Sequence, residues 1–131
     1  MQNEVAVTGL GIISPIGNSI DEFWNNCING LTGVGPITHF DASKLESKIA
    51  AEVKNFDPSV WIDRKEARKM ALFSQYAVAA ATQAWMDAGL PDFAQNESLQ
   101  NKGGIDPDRI AVVLGNGIGG IEIFTESHAK M

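Results

Sequence analysis

Residues 63–90 have the sequence DRKEARKMALFSQYAVAAATQAWMDAGL, which predicts one long helix from about Arg64 to Gly89. Asp63 stands where a helix N-cap is expected, and Glu66 three residues later gives the spacing of a capping box. One face carries mostly small side chains: Met70, Phe73, Ala77, Ala80, Ala81, Ala84 and Ala88. Since small side chains let neighbouring backbone come close, we expect this helix to be central.

Two short apolar runs predict strands, and a glycine-rich turn follows each of them. Val5 to Thr8 leads into residues 9–18, which hold three glycines and a proline. Ile110 to Leu114 is apolar throughout, as in strands that a parallel sheet buries on both faces. It leads into the glycine turn, residues 115–120, and then into a helix from Ile121 onward. This alternation of strands and helices predicts an α/β chain.

Another helix is predicted between the two strands, beginning near Ser19 or Asp21 and ending at Gly30 and Gly33. Its apolar residues recur at helical spacing and should lie on a core: Ile20, Phe23, Trp24, Cys27, Ile28 and Leu31. The remaining segments are predicted to connect these helices and strands. Residues 33–62 predict an excursion with a short strand over 48–53, and the polar residues 91–109 predict a surface loop.

The composition excludes several functional classes. The apolar runs are far shorter than the roughly 20 residues of a membrane span, and the N-terminus lacks the basic flank of a signal peptide. One cysteine forms no internal disulfide, and two histidines build no zinc cluster. The net charge of −6 argues against nucleic-acid or membrane binding by the bulk surface. We expect a cytoplasmic chain that continues beyond Met131, where the last helix has no stop signal.

Single reactive side chains do not suggest a catalytic site. Cys27 lies on the apolar stripe with no histidine nearby in sequence, so we interpret it as a small core residue. His39 and His128 have no partner in their local sequence, which favours loop hydrogen bonding or simple exposure. The carboxylates are scattered singly, so no acid–base pair is evident.

One charged segment stands out. Residues 64–69, RKEARK, hold four cations and one carboxylate, whereas the rest of the chain holds six cations and fifteen carboxylates. Because the cations fall in two i, i+4 pairs, they should share one surface, here named the basic patch. It consists of Arg64, Lys65, Arg68 and Lys69. The patch is either a binding surface for an anionic partner or an ordinary solvated helix start.

The glycine turn also allows two interpretations. Its spacing is G-x-G-x-x-G between a predicted strand and a predicted helix. Backbone amides in that context bind pyrophosphate in dinucleotide-binding proteins. The same glycines also suit a tight structural turn, and the acidic residue that would bind a ribose falls beyond Met131. Spacing alone does not choose between the two.

Four runs together resemble the start of a β-ketoacyl-[acyl-carrier-protein] synthase, a type II condensing enzyme. They are VAVTGLGIISPIGN at 5–18, HFDAS at 39–43, the helix at 63–90 and IAVVLGNGIGG at 110–120. They follow the family's order and approximate spacing, although residues 92–106 look longer than usual. The resemblance implies a thiolase-like layered α/β fold. Residues 1–131 would then form the N-terminal portion of the family's N-terminal domain, without the catalytic cysteine region or the C-terminal half.

The resemblance implies an acyltransferase of fatty-acid or polyketide synthesis. Family enzymes take an acyl group from acyl carrier protein onto a cysteine, decarboxylate malonyl carrier protein and join the two as a 3-oxoacyl product. In the family pattern that cysteine, in a T-A-C-x-S motif, and two histidines come after Met131. Cys27 does not match the motif. We therefore assign no catalytic residue and expect this chain alone to be inactive.

Binding residues can be carried over from the family. Lys65, Arg68 and Lys69 match the docking surface for the acidic carrier protein. Ile118 matches a residue that lines the acyl pocket, and Phe124 falls near the place where a homodimer interface closes that pocket. The resemblance implies no metal and no resident cofactor, because phosphopantetheine arrives on the carrier protein.

Three alternatives stay open. A non-catalytic partner subunit that determines chain length would share this N-terminal sequence but lack the nucleophile. A nucleotide-binding α/β domain would use the glycine turn for phosphate and bind NAD or ATP. A plain carrier-binding module would dock carrier protein as an isolated chain. Under the condensing-enzyme interpretation, the isolated chain should instead expose a large apolar surface and dock poorly.

Overall fold

The computed structural model describes residues 4–90 and 106–131, so most of the expected polar loop at 91–109 lies outside the described residues. The elements there are helices α1 (Ile20–Ile28), α2 (Arg64–Ala67), α3 (Leu72–Asp87) and α4 (Ile121–Ala129), strands β1 (Val34–Pro36) and β2 (Ile49–Ala51), and single 3₁₀ turns at Pro58–Val60 and Pro107–Arg109. No helix within these ranges is long and apolar enough to cross a bilayer.

Helix α1 begins as predicted, but its apolar stripe is not buried. The Ser19 hydroxyl accepts a hydrogen bond from the Glu22 amide at 3.2 Å and caps the helix. Trp24, Cys27 and Ile28 are nevertheless exposed. The interpretation of Cys27 as a core residue is therefore wrong for the described structure. Helical spacing predicts an apolar face, but burial also requires an opposing surface, and the described residues provide none for these three side chains.

The long helix predicted from Arg64 to Gly89 is interrupted, since the chain leaves helical geometry between α2 and α3. Ala71 is extended, with φ −61° and ψ 151°. The Gln75 side-chain amide donates hydrogen bonds to the carbonyls of Ala67 (2.9 Å) and Met70 (3.0 Å). The Ala67 carbonyl also accepts from the Met70 amide at 3.2 Å, so the side chain of Gln75 adds to the hydrogen bonding at the break. The predicted N-cap is confirmed, because the Asp63 carboxylate accepts from the Lys65 amide at 2.8 Å. The Glu66 carboxylate accepts from Lys69 at 2.7 Å instead of completing a capping box.

The small-residue face of α3 does receive closely packed backbone, as predicted. A methyl group placed on Gly9 would overlap the Ala84 carbonyl oxygen, and one on Gly11 would overlap the Ala80 carbonyl oxygen. Ala79 on the same helix is completely buried. Residues 9–18 are here named the N-terminal run. Its glycines and the alanines of α3 therefore fit together as two complementary surfaces.

Side chains of α3 also hold the N-terminal run by hydrogen bonds. The Gln83 amide group accepts from the Ile12 amide at 3.1 Å and donates to the Asn18 carbonyl at 2.8 Å. One turn later, the Asp87 carboxylate accepts from the Leu10 amide at 2.9 Å. These contacts join segments that are distant in sequence and fix residues 10–18 along the helix.

Neither of the two predicted apolar strands forms in the described structure. Residues 5–8 and 110–114 have no strand partner among the described residues, and Val113 is 92% exposed. The prediction over these residues is wrong for a physical reason: a strand is stabilised by hydrogen bonds to a neighbour, and the described part of the chain supplies none. The result is the large exposed apolar surface that the sequence predicts for an isolated chain.

The sheet in the described ranges is a short antiparallel pair within the segment expected to be a connection. Strand β1 pairs with β2 in the register Val34↔Ala51, Gly35↔Ala50 and Pro36↔Ile49. The strand predicted over 48–53 is confirmed as β2. Strand β1 was not anticipated, because glycine and proline disfavour strands.

The Glu52 carboxylate closes the open end of this pair. It accepts hydrogen bonds from the Thr38 hydroxyl (2.7 Å), the Thr38 amide (3.1 Å) and the His39 amide (3.3 Å). The Thr38 hydroxyl has the largest influence in lowering the pKa of Glu52 below its ordinary value. These bonds fasten the chain that leaves β1 to the end of β2.

Replacing Glu52 with Gln should loosen this closure at neutral pH. A carboxylate with a lowered pKa stabilises the folded state above its ordinary pKa, and that contribution disappears as pH falls through the lowered value. We therefore expect faster amide exchange at Thr38 and His39 in Glu52→Gln than in wild type at neutral pH, and a smaller difference in acid. Glu46→Gln, at an exposed carboxylate, is the control. A difference in amide exchange that does not change with pH would contradict the assignment of this closure to the Glu52 carboxylate.

Candidate functional site

All four cations of the basic patch are exposed. Arg64 and Lys65 lie in α2, Arg68 follows it, and Lys69 comes at the start of the break before α3. The Lys69 ammonium lies 2.7 Å from the Glu66 carboxylate, in a pair whose side chains are more than half exposed. Such an exposed pair contributes little to stability, so Lys69 can exchange this partner for another carboxylate.

Arg64 and Arg68 border a shallow cleft of about 270 Å³, together with Asp57 and Gln75. The Asp57 carboxylate accepts from the Ser59 hydroxyl at 2.7 Å and the Ser59 amide at 2.9 Å. These bonds, and to a lesser degree the charge of Arg64, lower the pKa of Asp57. Asp57 thus offsets part of the charge at Arg64. Within residues 4–90 and 106–131, no carboxylate lies within ion-pair distance of Lys65 or Arg68.

The glycine turn packs against the start of α3. A methyl group on Gly119 would lie 2.8 Å from two ring carbons of Phe73, and one on Gly120 would lie 3.3 Å from a third. Gly120 has φ +73° and precedes the first residue of α4. Both glycines are therefore required where they stand: one for close approach to the ring, the other for a left-handed backbone.

A mostly apolar cleft of about 520 Å³, here named the glycine-turn cleft, lies beside this contact, between the start of the glycine turn and α3. The side chains and backbone that surround it include Ile13, Met70, Phe73, Ala77, Leu114 and Gly117. Apart from Gly117, which lies in the glycine turn, none of these residues was expected at a site from the sequence. The available signal was the placement of Phe73 on the otherwise small-residue face of α3, which leaves room for backbone opposite the ring.

The two residues expected near the acyl pocket are exposed. Ile118 is 83% and Phe124 is 71% exposed. The Phe124 ring stacks on the His128 ring, with centroids 6.4 Å apart and planes 5° from parallel. Ile118 sits in the glycine turn and Phe124 one helical turn into α4. The described residues do not enclose either side chain, so their assignment to an acyl pocket stays a prediction.

One feature argues against a nucleotide at the glycine turn. Glu122 lies in the first turn of α4, and its negative charge opposes a phosphate at that helix terminus. The turn is better explained by its contact with Phe73.

The remaining reactive residues do not converge. Cys27 is exposed on α1. The His39 side chain is also exposed, as one of the two interpretations expected, with its Nε2 atom 4.0 Å from a Glu52 carboxylate oxygen. Across residues 4–90 and 106–131, no group of three His, Cys, Asp or Glu side chains is placed to hold a metal ion. The candidate functional surfaces within the described residues are the basic patch and the glycine-turn cleft.

Comparison with known proteins gives consistent matches. Residues 2–130 match the family model of the β-ketoacyl synthase N-terminal domain. The chain is 42% identical over 120 residues to 3-oxoacyl-[acyl-carrier-protein] synthase 2 of Coxiella burnetii, covering 92% of this chain and 27% of that protein. The corresponding synthase of Vibrio harveyi is 36% identical over 130 residues, covering 99% of this chain and 29% of that one. The chain thus spans under a third of these curated relatives.

A solved structure gives the same result. The ishigamide ketosynthase/chain length factor superposes with a TM-score of 0.60 and 41% sequence identity, covering 65% of this chain and 21% of that one. The sequence and structure matches confirm the resemblance and fit a partial thiolase-like α/β fold. The chain belongs to the β-ketoacyl synthase family, and its residues 2–130 match that family's N-terminal domain.

Proposed function

We propose that this chain is the N-terminal portion of a 3-oxoacyl-[acyl-carrier-protein] synthase, an acyltransferase of fatty-acid synthesis. The observation that carries the proposal is 42% identity to the Coxiella burnetii synthase over 92% of the chain. The basic patch and the glycine-turn cleft are the two surfaces through which this portion would act. A cytoplasmic homodimer is part of the proposal.

The proposed reaction has two stages. A cysteine thiolate attacks the thioester of an acyl carrier protein, takes the acyl group and releases the carrier's phosphopantetheine thiol. Malonyl carrier protein then loses carbon dioxide, and its enolate attacks the enzyme-bound thioester to give 3-oxoacyl carrier protein and free cysteine. In the family pattern the cysteine and two histidines come after Met131, so the described residues would supply binding.

The basic patch would dock the acidic carrier protein through Lys65, Arg68 and Lys69. Its exposure and the absence of carboxylates within ion-pair distance of Lys65 and Arg68, among the described residues, support this role. Positive charge opposite an acidic partner speeds association and fixes the orientation of docking. Phosphopantetheine would reach the enzyme on the carrier, so no resident cofactor is proposed.

The glycine-turn cleft would form part of one wall of the acyl pocket. Its apolar lining suits a hydrocarbon chain, and burying one methylene contributes about 0.8 kcal/mol. Ile118, within the turn, would limit the length of chain that fits. Phe124, on α4, would help close the pocket at the homodimer interface.

A second candidate is a non-catalytic partner subunit that determines chain length. The solved relative is a ketosynthase/chain length factor, and its 41% identity favours keeping this candidate. Both candidates use the same N-terminal portion, so residues 4–90 and 106–131 do not separate them. The presence of the cysteine nucleophile in the full-length protein does.

A reconstituted condensation assay tests the proposal. The full-length protein is incubated with acyl carrier protein and malonyl carrier protein, and the carrier-bound product is identified by mass spectrometry. We expect 3-oxoacyl carrier protein from the full-length protein and none from the 131-residue chain.

The other outcomes assign the alternatives. Activity that appears only after a separate ketosynthase is added would indicate the partner subunit. Saturable NAD or ATP binding without condensation would indicate the nucleotide-binding domain. Carrier docking by the 131-residue chain without condensation by the full-length protein would indicate a plain carrier-binding module. Each of these outcomes would overturn the proposed synthase.

A further inference from the structure

We propose that Phe73 is a positioning residue that holds the glycine turn and thereby sets the acyl-length preference of the enzyme. The inference rests on the proposed function, because acyl preference has meaning only for a protein that handles acyl carriers. It adds a residue to which neither the family resemblance nor the sequence pattern assigns a role.

The contact between the ring and the turn leaves no room for a side chain. The position that a Gly119 methyl would take lies 2.8 Å from the Cε2 and Cζ atoms of Phe73. It would also overlap the Asn116 side-chain amide, which is the end of a flexible side chain and can move aside. The Phe73 ring is larger than this amide group and lies between the glycine turn and the backbone of α3. It therefore limits how closely the turn can approach the helix.

The same ring supports both residues expected at the acyl pocket. Ile118 immediately precedes Gly119, and α4, which carries Phe124, begins directly after Gly120. A methyl group on Gly120 would meet the Cε1 atom of Phe73 at 3.3 Å. A shift of the ring would therefore move the glycine pair, and with it the side chains on either side.

The position of Phe73 on α3 also suits a positioning role. It lies in the first turn of α3, a 16-residue helix held against the N-terminal run by Gln83 and Asp87. The ring is 40% exposed, so part of its surface borders the cleft rather than a packed core. A rigid helix thus presents one aromatic ring to a turn that has little packing of its own.

The test is a double-mutant cycle in the full-length enzyme with Phe73→Leu, Gly119→Ala and the combination. The readout is the ratio of kcat/KM for a long-chain to a short-chain acyl carrier protein. Phe73→Leu should let the turn move toward α3, which narrows the glycine-turn cleft and lowers this ratio about fivefold or more. The effects of the two single substitutions should be non-additive by a similar factor, as for residues in contact.

Met86→Leu is the matched control. Met86 is an exposed apolar residue of the same helix, and it is not part of the lining of the glycine-turn cleft. Its substitution should leave the length ratio unchanged. Phe73→Met, which keeps a side chain of similar reach, should give a smaller shift than Phe73→Leu and serves as the second variant if Phe73→Leu accumulates poorly.

The outcomes separate this inference from the proposed function. A wild-type enzyme without condensation activity would overturn both. An active wild type whose Phe73→Leu variant loses the same factor on every acyl length, or shows effects that simply add to those of Gly119→Ala, would overturn the positioning role alone.

Discussion

Replacing Gly11 with alanine should lower the free energy of unfolding by about 3 kcal/mol, the upper part of the range for adding a methyl group to a well-packed interior. The added Cβ would overlap the Ala80 carbonyl oxygen and lie 2.7 Å from the Ala84 amide nitrogen. Both are backbone atoms of α3, so they cannot turn aside as a side chain can. The N-terminal run would have to move away from the helix.

Movement of this run would also break its hydrogen bonds to α3. The Ile12 amide would lose Gln83, and the Leu10 amide would lose Asp87. Urea unfolding of the full-length protein measures the effect. Gly35→Ala is the control, because a methyl group there meets no atom within 4 Å. Equal midpoints for the two alanine variants would show that Gly11 is not held by close packing.

Reversing three charges of the basic patch should raise the apparent KM for carrier-protein substrates about 100-fold, or close to 3 kcal/mol. The change is Lys65→Glu, Arg68→Glu and Lys69→Glu, which turns a surface that attracts an acidic partner into one that repels it. Small soluble thioesters should keep their KM within about twofold, since they do not depend on carrier docking. Raising the ionic strength should weaken carrier use by wild type and narrow the difference.

A second charge reversal provides the control for the first. Lys44, Lys48 and Lys54 are exposed lysines outside the patch, and changing all three to Glu alters the net charge by the same amount. This variant should retain carrier use close to that of wild type. A similar loss in both triple variants would mean that overall charge, rather than the patch, governs the interaction. Equal loss on carrier and small thioesters would mean that the patch is structural.

Local signals in the sequence predicted where the helices lie, except for the break that divides residues 64–89 into α2 and α3. Asp63 caps α2 as predicted, and Ser19 caps α1 at one of its two expected starts, because an N-cap depends on residues two or three positions away. The alanine face of α3 also predicted close packing, which Gly9 and Gly11 provide. The partner in that packing was not predictable, since nothing near α3 in the sequence identifies it.

Features that depend on distant residues were not predictable. The break before α3 is accompanied by two hydrogen bonds from Gln75 to carbonyls of the preceding segment, which helical spacing cannot indicate. Burial of the α1 stripe and of residues 110–114 was predicted from apolar pattern alone. The apolar pattern indicates which side chains would favour burial. Whether they are buried depends on whether another part of the molecule covers them.

The candidate site likewise combines a feature that is local in the sequence with one that depends on distant residues. The basic patch is contiguous in sequence, so its composition and exposure followed directly from residues 64–69. The contact of Phe73 with Gly119 joins two segments that are far apart in the chain, and only the structure brings them together. Catalytic residues could not be located in this chain from either source.

Intact-protein mass spectrometry after incubation with an acyl carrier protein examines the proposed chemistry at its first step. We predict that the full-length protein gains the mass of one acyl group, that Cys27→Ala gains it equally, and that malonyl carrier protein then removes it as 3-oxoacyl carrier protein. A full-length protein that never gains the acyl mass, or that loses the gain when Cys27 is replaced, would contradict the proposal.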